Sequence, residues 1–140
     1  MRFVLDNSVV MRWLFGDGSV ADREYAAVVL ERMESAGAQA VVPALWSLEA
    51  GNVIARAESR GLLSEAQSAR FLGVLQDMAI VTDDESTRHA LHDTLNLARR
   101  FGLSTYDAAY LELALREGLP LATLDAALRK ALVATGAALF

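Results

Sequence analysis

Two acidic residues each follow a short apolar run, the position at which a carboxylate can enter a shared site. Asp6 follows Phe3-Val4-Leu5, and Asp125 follows Leu121-Ala122-Thr123-Leu124. If both runs are parallel strands of one sheet, their carboxyl ends meet at the same edge, where ligands of such sheets bind. Either acid can also serve as the N-cap of the helix predicted after it. Taken singly, the two residues leave both interpretations open.

Asp107 lies on the apolar face of a predicted helix. At about 100° per residue, the segment 105–117 places it on a face with Tyr110, Leu111, Ala114 and Leu115, and places Ala109, Glu112 and Arg116 opposite. An ionised group on a buried face is costly unless it is paired or binds a metal. A capping box with Ser104 as N-cap would explain an acid in the first turn, but not the face on which it lies.

Glu49 borders the apolar stripe of another predicted helix, 45–60. In isolation it would be interpreted as a surface glutamate, because glutamate is a good helix former. Converging carboxylates repel one another, so one must take up a proton unless a cation neutralises the group. Mg²⁺ and Mn²⁺ prefer such oxygen ligands, and paired metals about 4 Å apart can activate water and stabilise the leaving oxygen of a phosphodiester. The four acids together therefore predict a metal-dependent hydrolytic site.

The other titratable residues offer less chemistry. His89 and His92 lie at i and i+3 on a helix that also carries Arg88, Asp93, Arg99 and Arg100, which favours a solvated face over a metal site. Asp83 and Asp84 follow a short strand and are interpreted as caps. With no cysteine in the chain, disulfides, thiol catalysis and thiolate zinc sites are excluded.

Length, composition and charge indicate which class of protein carries these residues. The chain has 140 residues, 54% of them hydrophobic and 22% charged, which fits one folded domain over 1–140. Its 13 basic and 18 acidic residues give a net charge of −5, which argues against binding nucleic acid by charge alone. No apolar stretch approaches the roughly 20 residues of a membrane span, and Asp6 interrupts any signal peptide. We expect a cytoplasmic protein without membrane association.

Alternating patterns predict the elements that position the acids. Strands are expected at 2–6, 39–42, 79–82 and 119–124, with a further one at 137–140. Helices are expected at 8–15, 22–36, 45–60, 64–78, 86–101, 105–117 and 126–134. Strands that alternate with helices imply an α/β fold of three α/β/α layers, with a central, mostly parallel sheet of four to five strands.

The motifs around these acids resemble one family. Val4-Leu5-Asp6-Asn7-Ser8-Val9-Val10, with Trp13, resembles the opening signature of PIN-domain proteins, especially the VapC-type toxin ribonucleases. The stretch from Pro43 through Leu48-Glu49 to Asn52-Val53 is similar to the second block of the family. The most specific block of the family is matched by a stretch that resembles it, Thr105-Tyr106-Asp107-Ala108-Ala109-Tyr110-Leu111. The last block of the family resembles the stretch Leu121-Ala122-Thr123-Leu124-Asp125 of this chain. The blocks occur in family order over essentially the whole chain, and Asn7 is the one mild departure, since a small residue is common there.

The resemblance implies a role for each matching residue. Asp6, Glu49, Asp107 and Asp125 would form an acidic pocket that binds Mg²⁺ or Mn²⁺ and positions the attacking water, with Ser8 and Thr123 as supporting polar groups. The implied activity is that of an endoribonuclease toxin acting on a loop of transfer or ribosomal RNA. The implied partners are a cognate VapB-type antitoxin, whose C-terminal segment inserts near the pocket, and a second copy of the chain in a homodimer.

Three alternatives differ from this interpretation in testable ways. A housekeeping PIN nuclease in RNA processing would share the chemistry, although a short chain without an added RNA-binding module favours the toxin. A non-catalytic PIN-fold interaction module would have lost metal binding, whereas all four acids are present here. A response-regulator receiver domain would resemble a chain with an acidic pair after the first strand and a lysine after the fifth. The single lysine, Lys130, falls inside a predicted helix, which excludes that class.

Overall fold

Four short strands form one parallel sheet in the computed structural model, which describes residues 1–140. They are β1 (Arg2–Leu5), β2 (Gln39–Val42), β3 (Ile80–Thr82) and β4 (Leu121–Ala122), in the spatial order β3-β2-β1-β4. β1 lies in the centre, with Val4 opposite both Val41 and Leu121. The predicted parallel sheet is confirmed with four strands. The strand expected at 137–140 is reduced to a single parallel bridge between Leu139 and Leu121.

The helices follow the predicted order; the segments 86–101 and 105–117 have the predicted ends, and the others differ by one or two residues at one or both ends. They are α1 (Asn7–Phe15), α2 (Val20–Glu34), α3 (Trp46–Ser59), α4 (Glu65–Asp77), α5 (Ser86–His89), α6 (Leu95–Phe101), α7 (Thr105–Glu117) and α8 (Ala126–Thr135). A π-helical stretch, Ala90–Thr94, joins α5 to α6, so the helix expected at 86–101 is continuous but not uniform. None of these helices combines the length and the apolar character that a bilayer span requires.

Two apolar clusters cover the two faces of the sheet. Because successive side chains of a strand point to opposite faces, Phe3 and Leu5 enter the cluster formed with α1, α2, α3 and α4, while Val4 enters the one formed with α7 and α8. All three side chains are fully buried. The arrangement confirms the three-layer α/β/α fold predicted from the alternating pattern.

Helix α7 is buried on more sides than its periodicity predicts. Ala109 and Glu112, expected on the exposed face, are 7% and 4% exposed, because the segment from α5 to α6 covers that face. Glu112 is neutralised there by Arg116, whose Nε donates a hydrogen bond of 2.7 Å to it. Arg116 also donates to Asp83 at 2.7 Å. The interpretation of Asp83 as a helix cap was therefore wrong, since the N-cap of α5 is Glu85 and Asp83 belongs to a half-buried ion-pair network.

Candidate active site

Asp6 is held at the end of β1 by two hydroxyl groups. It occupies the N-cap position of α1, but its side chain makes no capping hydrogen bond. Its Oδ2 instead accepts hydrogen bonds from Ser8 at 2.6 Å and from Thr123 at 2.7 Å. Burial raises the pKa of Asp6, and the two hydroxyl groups offset only part of that effect. Asp6 is thus a buried carboxylate with a fixed orientation.

Ser8 and Thr123 also fasten the chain that carries Asp125. The backbone N–H of Leu124 donates to the Ser8 hydroxyl at 3.0 Å, and that of Asp125 donates to the Thr123 hydroxyl at 3.0 Å. Each hydroxyl therefore accepts from the segment after β4 while it donates to Asp6. This network ties the carboxyl ends of β1 and β4 together.

Asp125 combines capping with a place beside Asp6. Its Oδ1 accepts a hydrogen bond of 2.8 Å from the N–H of Leu128, so it is the N-cap of α8. The capping interpretation is correct for this oxygen, and Oδ2 lies outside the cap. Asp125 also contributes to the raised pKa of Asp6 through charge repulsion, which places the two carboxylates in one electrostatic neighbourhood.

Asp107 lies in the first turn of α7, where a backbone cap and charge repulsion both act on it. The Ser104 hydroxyl accepts a hydrogen bond of 3.1 Å from the N–H of Asp107, so Ser104 is the N-cap of α7. The Asp107 carboxylate does not accept the reciprocal bond from the Ser104 N–H, so the capping box is incomplete. Burial, followed by repulsion from Asp125, Asp6 and Glu49, raises the pKa of Asp107 to about 6. All three other candidate acids act on this one group, so the structure brings the four together.

Glu49 is half-buried in the first turn of α3, not solvated as its helix alone would suggest. Its Oε1 accepts a hydrogen bond from the hydroxyl of Tyr110, a fully buried residue of α7. Burial raises the pKa of Glu49, as does the charge of Asp6, although the Tyr110 hydrogen bond opposes both effects. Tyr110 orients Glu49 as the hydroxyl groups orient Asp6.

Sequence reasoning assigned no site role to Tyr110 and treated Asn7 as a departure from the family. Tyr110 was seen only as part of the apolar face, yet it lies one turn after Asp107, and a buried tyrosine needs a hydrogen-bond partner. Asn7 is also buried, and its Nδ2 donates to the Trp46 carbonyl at 3.0 Å and to the Tyr110 hydroxyl at 3.4 Å. Asn7 therefore supports the side chain that orients Glu49.

The donor set of this pocket suits a hard divalent cation. Asp6, Glu49, Asp107 and Asp125 supply only oxygen ligands, and the repulsion that raises the pKa of Asp107 is what a cation would relieve. These carboxylates could hold Mg²⁺ or Mn²⁺. Ser8 and Thr123 orient the carboxylate of Asp6, and Tyr110 orients that of Glu49.

A second cluster of candidate ligands lies away from this pocket. Ligand atoms of His89, Asp93 and Glu112 all lie within 4.8 Å of one another. The expectation of a solvated histidine face holds for His92, but His89 is half-buried and lies 3.2 Å from Asp93. Glu112 is already paired with Arg116, so we interpret this cluster as part of the structural ion-pair network.

The fold and the pocket define a three-layer α/β domain with an acidic site at the carboxyl ends of its parallel strands. A family model described as the PIN domain matches residues 3–132, and the chain belongs to this family. The resemblance in the four motifs is thereby confirmed.

Individual relatives agree with the family assignment. The chain is 35% identical over 81 residues to the ribonuclease VapC3 of Pyrobaculum aerophilum, a match that covers 58% of this chain and 62% of that protein. Its fold is similar to the crystal structure of PAE2754 from Pyrobaculum aerophilum, with a TM-score of 0.65 and 22% identity over 94% of this chain and 84% of the other. A toxin–antitoxin complex from Klebsiella pneumoniae contains a similar chain, with a TM-score of 0.57 and 20% identity over 88% and 86%.

Proposed function

We propose that this protein is a Mg²⁺- or Mn²⁺-dependent endoribonuclease that acts as the toxin of a toxin–antitoxin pair. The observation that carries the proposal is the convergence of Asp6, Glu49, Asp107 and Asp125 on one pocket. Hydrogen bonds through Ser8 and Thr123 join Asp6 to the segment that carries Asp125, and Tyr110, one turn after Asp107, bonds to Glu49. The raised pKa of Asp107 agrees with this arrangement. Residues 1–140 would act as one nuclease domain. Membership in the PIN family and similarity to a protein named as a VapC ribonuclease support the choice of RNA as substrate.

Neighbouring hydroxyl groups and a helix cap hold the pocket's carboxylates in place for metal binding. A divalent metal, when bound, supplies an activated water and charge stabilisation for the leaving oxygen of the phosphodiester. Ser8 and Thr123 fix the Asp6 carboxylate, and Tyr110 fixes that of Glu49, so both are oriented before a ligand arrives. Asp125 is fixed by its Oδ1 cap, which leaves Oδ2 available as a ligand.

The toxin role rests on the comparisons. One similar structure is a toxin–antitoxin complex, and the 35% identical relative carries a VapC name. We propose that a VapB-type antitoxin blocks this pocket, that the active form is a homodimer, and that the substrate is a loop of transfer or ribosomal RNA. Induction of the chain in a bacterial host should arrest growth, and co-expression of its VapB-type antitoxin should relieve the arrest. Growth unaffected by induction, from a chain that cleaves RNA in vitro, would favour a housekeeping nuclease.

The nuclease itself is tested with the purified chain and total RNA. We expect discrete cleavage in Mn²⁺ that is lost in EDTA and in Asp6→Asn. Glu24→Gln removes an exposed carboxylate on α2 and should cleave like the parent, which controls for the change in net charge. Thermal unfolding of both variants checks their folding. A chain that binds no Mn²⁺ and cuts no RNA would instead be a non-catalytic interaction module.

A further inference from the structure

The chain between β4 and α8 lies beyond the end of the sheet and depends on side chains for its hydrogen bonds. The ladder between β1 and β4 reaches Ala122, whose carbonyl accepts from the N–H of Asp6 at 3.0 Å. Thr123 follows directly and is fully buried. Its carbonyl is buried with it, and a buried carbonyl without a donor is costly. The donor that reaches this carbonyl therefore stabilises the segment that ends in Asp125.

Arg129 supplies that donor from α8. Its Nε donates to the Thr123 carbonyl at 2.8 Å, so the side chain folds back over the start of its own helix. The centre of its guanidinium lies 4.8 Å from the centroid of the ring of Tyr25, a half-buried residue of α2. A planar guanidinium stacked on an aromatic ring loses little freedom when it forms a hydrogen bond. Tyr25 thereby holds the guanidinium in place for its hydrogen bond to Thr123.

Thr123 connects Arg129 with both aspartates at the strand ends. Its hydroxyl donates to Asp6 at 2.7 Å and accepts from the N–H of Asp125 at 3.0 Å. A shift of this one residue therefore moves a hydroxyl that contacts both aspartates. Burial raises the pKa of Tyr25, the charge of Arg129 opposes that effect, and the charge of Asp6 adds to it. The ring, the guanidinium and the Asp6 carboxylate thus lie in one neighbourhood.

We propose that Arg129 is a positioning residue of the acidic pocket, which holds the Thr123 carbonyl and thereby fixes the hydroxyl that orients Asp6 and anchors the backbone of Asp125. This inference rests on the proposed metal-dependent function and adds to it a residue that no sequence motif indicated. A guanidinium near the pocket has two opposite effects on a cation. Its positive charge repels the cation, whereas its hydrogen bond orders the ligands before the cation binds. Removal of Arg129 distinguishes them, because loss of charge alone strengthens cation binding and loss of ligand order weakens it.

Two substitutions separate the hydrogen bond from the charge. Nε2 of glutamine occupies the same place along the side chain as Nε of arginine, and the terminal methyl group of methionine also occupies it. Arg129→Gln therefore keeps a donor there and Arg129→Met does not, while both remove the charge. In a calorimetric titration of Mn²⁺ into the full chain, Arg129→Met should raise the Kd about tenfold, the lower end of the range for partners of metal ligands. Arg129→Gln should bind Mn²⁺ at least as tightly as the parent.

The control for charge is the next residue of α8. Lys130 is exposed, and Lys130→Met removes one positive charge without touching Thr123. This variant should bind Mn²⁺ like the parent. Thermal unfolding of each variant in EDTA checks its folding and measures any loss of general stability.

Amide hydrogen exchange in EDTA tests the same contact without a metal. The N–H groups of Leu124 and Asp125 donate to the hydroxyl groups of Ser8 and Thr123. Relative to the amides of α3, both should exchange roughly 5- to 100-fold faster in Arg129→Met than in Arg129→Gln, the range for one buried carbonyl left unpaired. Faster exchange confined to this segment would support a positioning role.

Four results would overturn the proposal. The first is an equal Kd and equal exchange in Arg129→Met and Arg129→Gln, and the second is an Arg129→Gln that binds Mn²⁺ clearly more weakly than the parent. The third is tighter Mn²⁺ binding in Arg129→Met than in the parent, which would leave only charge repulsion. The fourth is a lower Tm in Arg129→Met with unchanged Kd and unchanged relative exchange, which would make Arg129 a residue of general stability. A parent chain that binds no Mn²⁺ would refute the metal site of the proposed function, and the exchange measurement alone would then decide whether Arg129 fixes this segment.

Discussion

Replacement of Asp107 by asparagine should stabilise the metal-free protein at neutral and alkaline pH. Its pKa is raised from 3.8 to about 6 by burial and by the three neighbouring acids. A shift of this size corresponds to about 3 kcal/mol of unfavourable free energy for the ionised form. Because Asp107 is only half-buried, solvent screening reduces this to about 1–2 kcal/mol. For a domain of this size, that gain in stability would raise Tm by roughly 3–6 °C.

The pH dependence of this gain follows from the sign of the shift. Below about pH 4 the carboxyl is protonated in both the folded and the unfolded state, so the parent loses nothing relative to Asp107→Asn. Between about pH 4 and pH 6 the unfolded parent gives up the proton while the folded parent retains it, so the parent becomes progressively less stable relative to the variant. Unfolding in EDTA, followed from about pH 3 to pH 8, should therefore show two stability curves that separate between about pH 4 and pH 6 and run parallel above about pH 6.

Two controls make the measurement specific. Glu24→Gln removes the same charge from an exposed site and should follow the parent at every pH. Addition of Mn²⁺ at neutral pH should raise the Tm of the parent, because a concentration of 100 times Kd stabilises the folded state by about 2.7 kcal/mol. The Tm of Asp107→Asn should rise by less. A metal-free Asp107→Asn that is clearly less stable than the parent, at all pH values, would refute the argument. Asp107 would then stabilise the N-terminus of α7, and repulsion from the other acids would not determine its contribution to stability.

Three further changes test other parts of the structure. Arg116→Met leaves the buried Glu112 without its partner and should lower the free energy of unfolding by about 3 kcal/mol in a urea titration. Glu112→Gln in the same background should recover most of this loss. No recovery would mean that Arg116 acts through packing. Tyr110→Phe removes the hydrogen bond to Glu49 and should weaken Mn²⁺ binding about tenfold in a calorimetric titration, so unchanged affinity would contradict an orienting role. Gly118→Ala puts a side chain at φ +63° with open space around it, and thermal unfolding should show a loss of about 1–2 kcal/mol from backbone strain alone, whereas a neutral result would show that the end of α7 relaxes.

The sequence predicted the positions that depend on strand ends. Asp6 and Asp125 each follow a buried strand, and parallel strands bring such residues to one edge whatever else the chain does. Asp107 was found because its helix places it on an apolar face. Strand ends therefore predict two of the four pocket acids, and the apolar face of a helix predicts a third.

The remaining residues depend on contacts that periodicity cannot express. A helical wheel assumes one covered face, but α7 is also covered by the segment from α5 to α6, and the buried Glu112 is the consequence. Glu49 looked like a surface residue because its partner, Tyr110, is 61 positions away in the chain. The π-helical stretch Ala90–Thr94 has no glycine or proline to mark it, so its sequence reads as ordinary helix.

The four carboxylates of the pocket are supported unequally, and this inequality favours a cation site over a structural polar cluster. Asp6 has two hydroxyl donors, Glu49 has the Tyr110 hydroxyl, and Asp125 accepts from its own helix. Asp107, by contrast, bears repulsion from all three and has its pKa raised to about 6. A cluster selected only for stability would spread hydrogen-bond donors over every acid, since an unsupported buried carboxylate is costly. Burial and repulsion within the pocket raise the pKa of Asp6, Glu49 and Asp107, so a bound cation would recover free energy from all three. Asp107 is the acid on which all three of the others act.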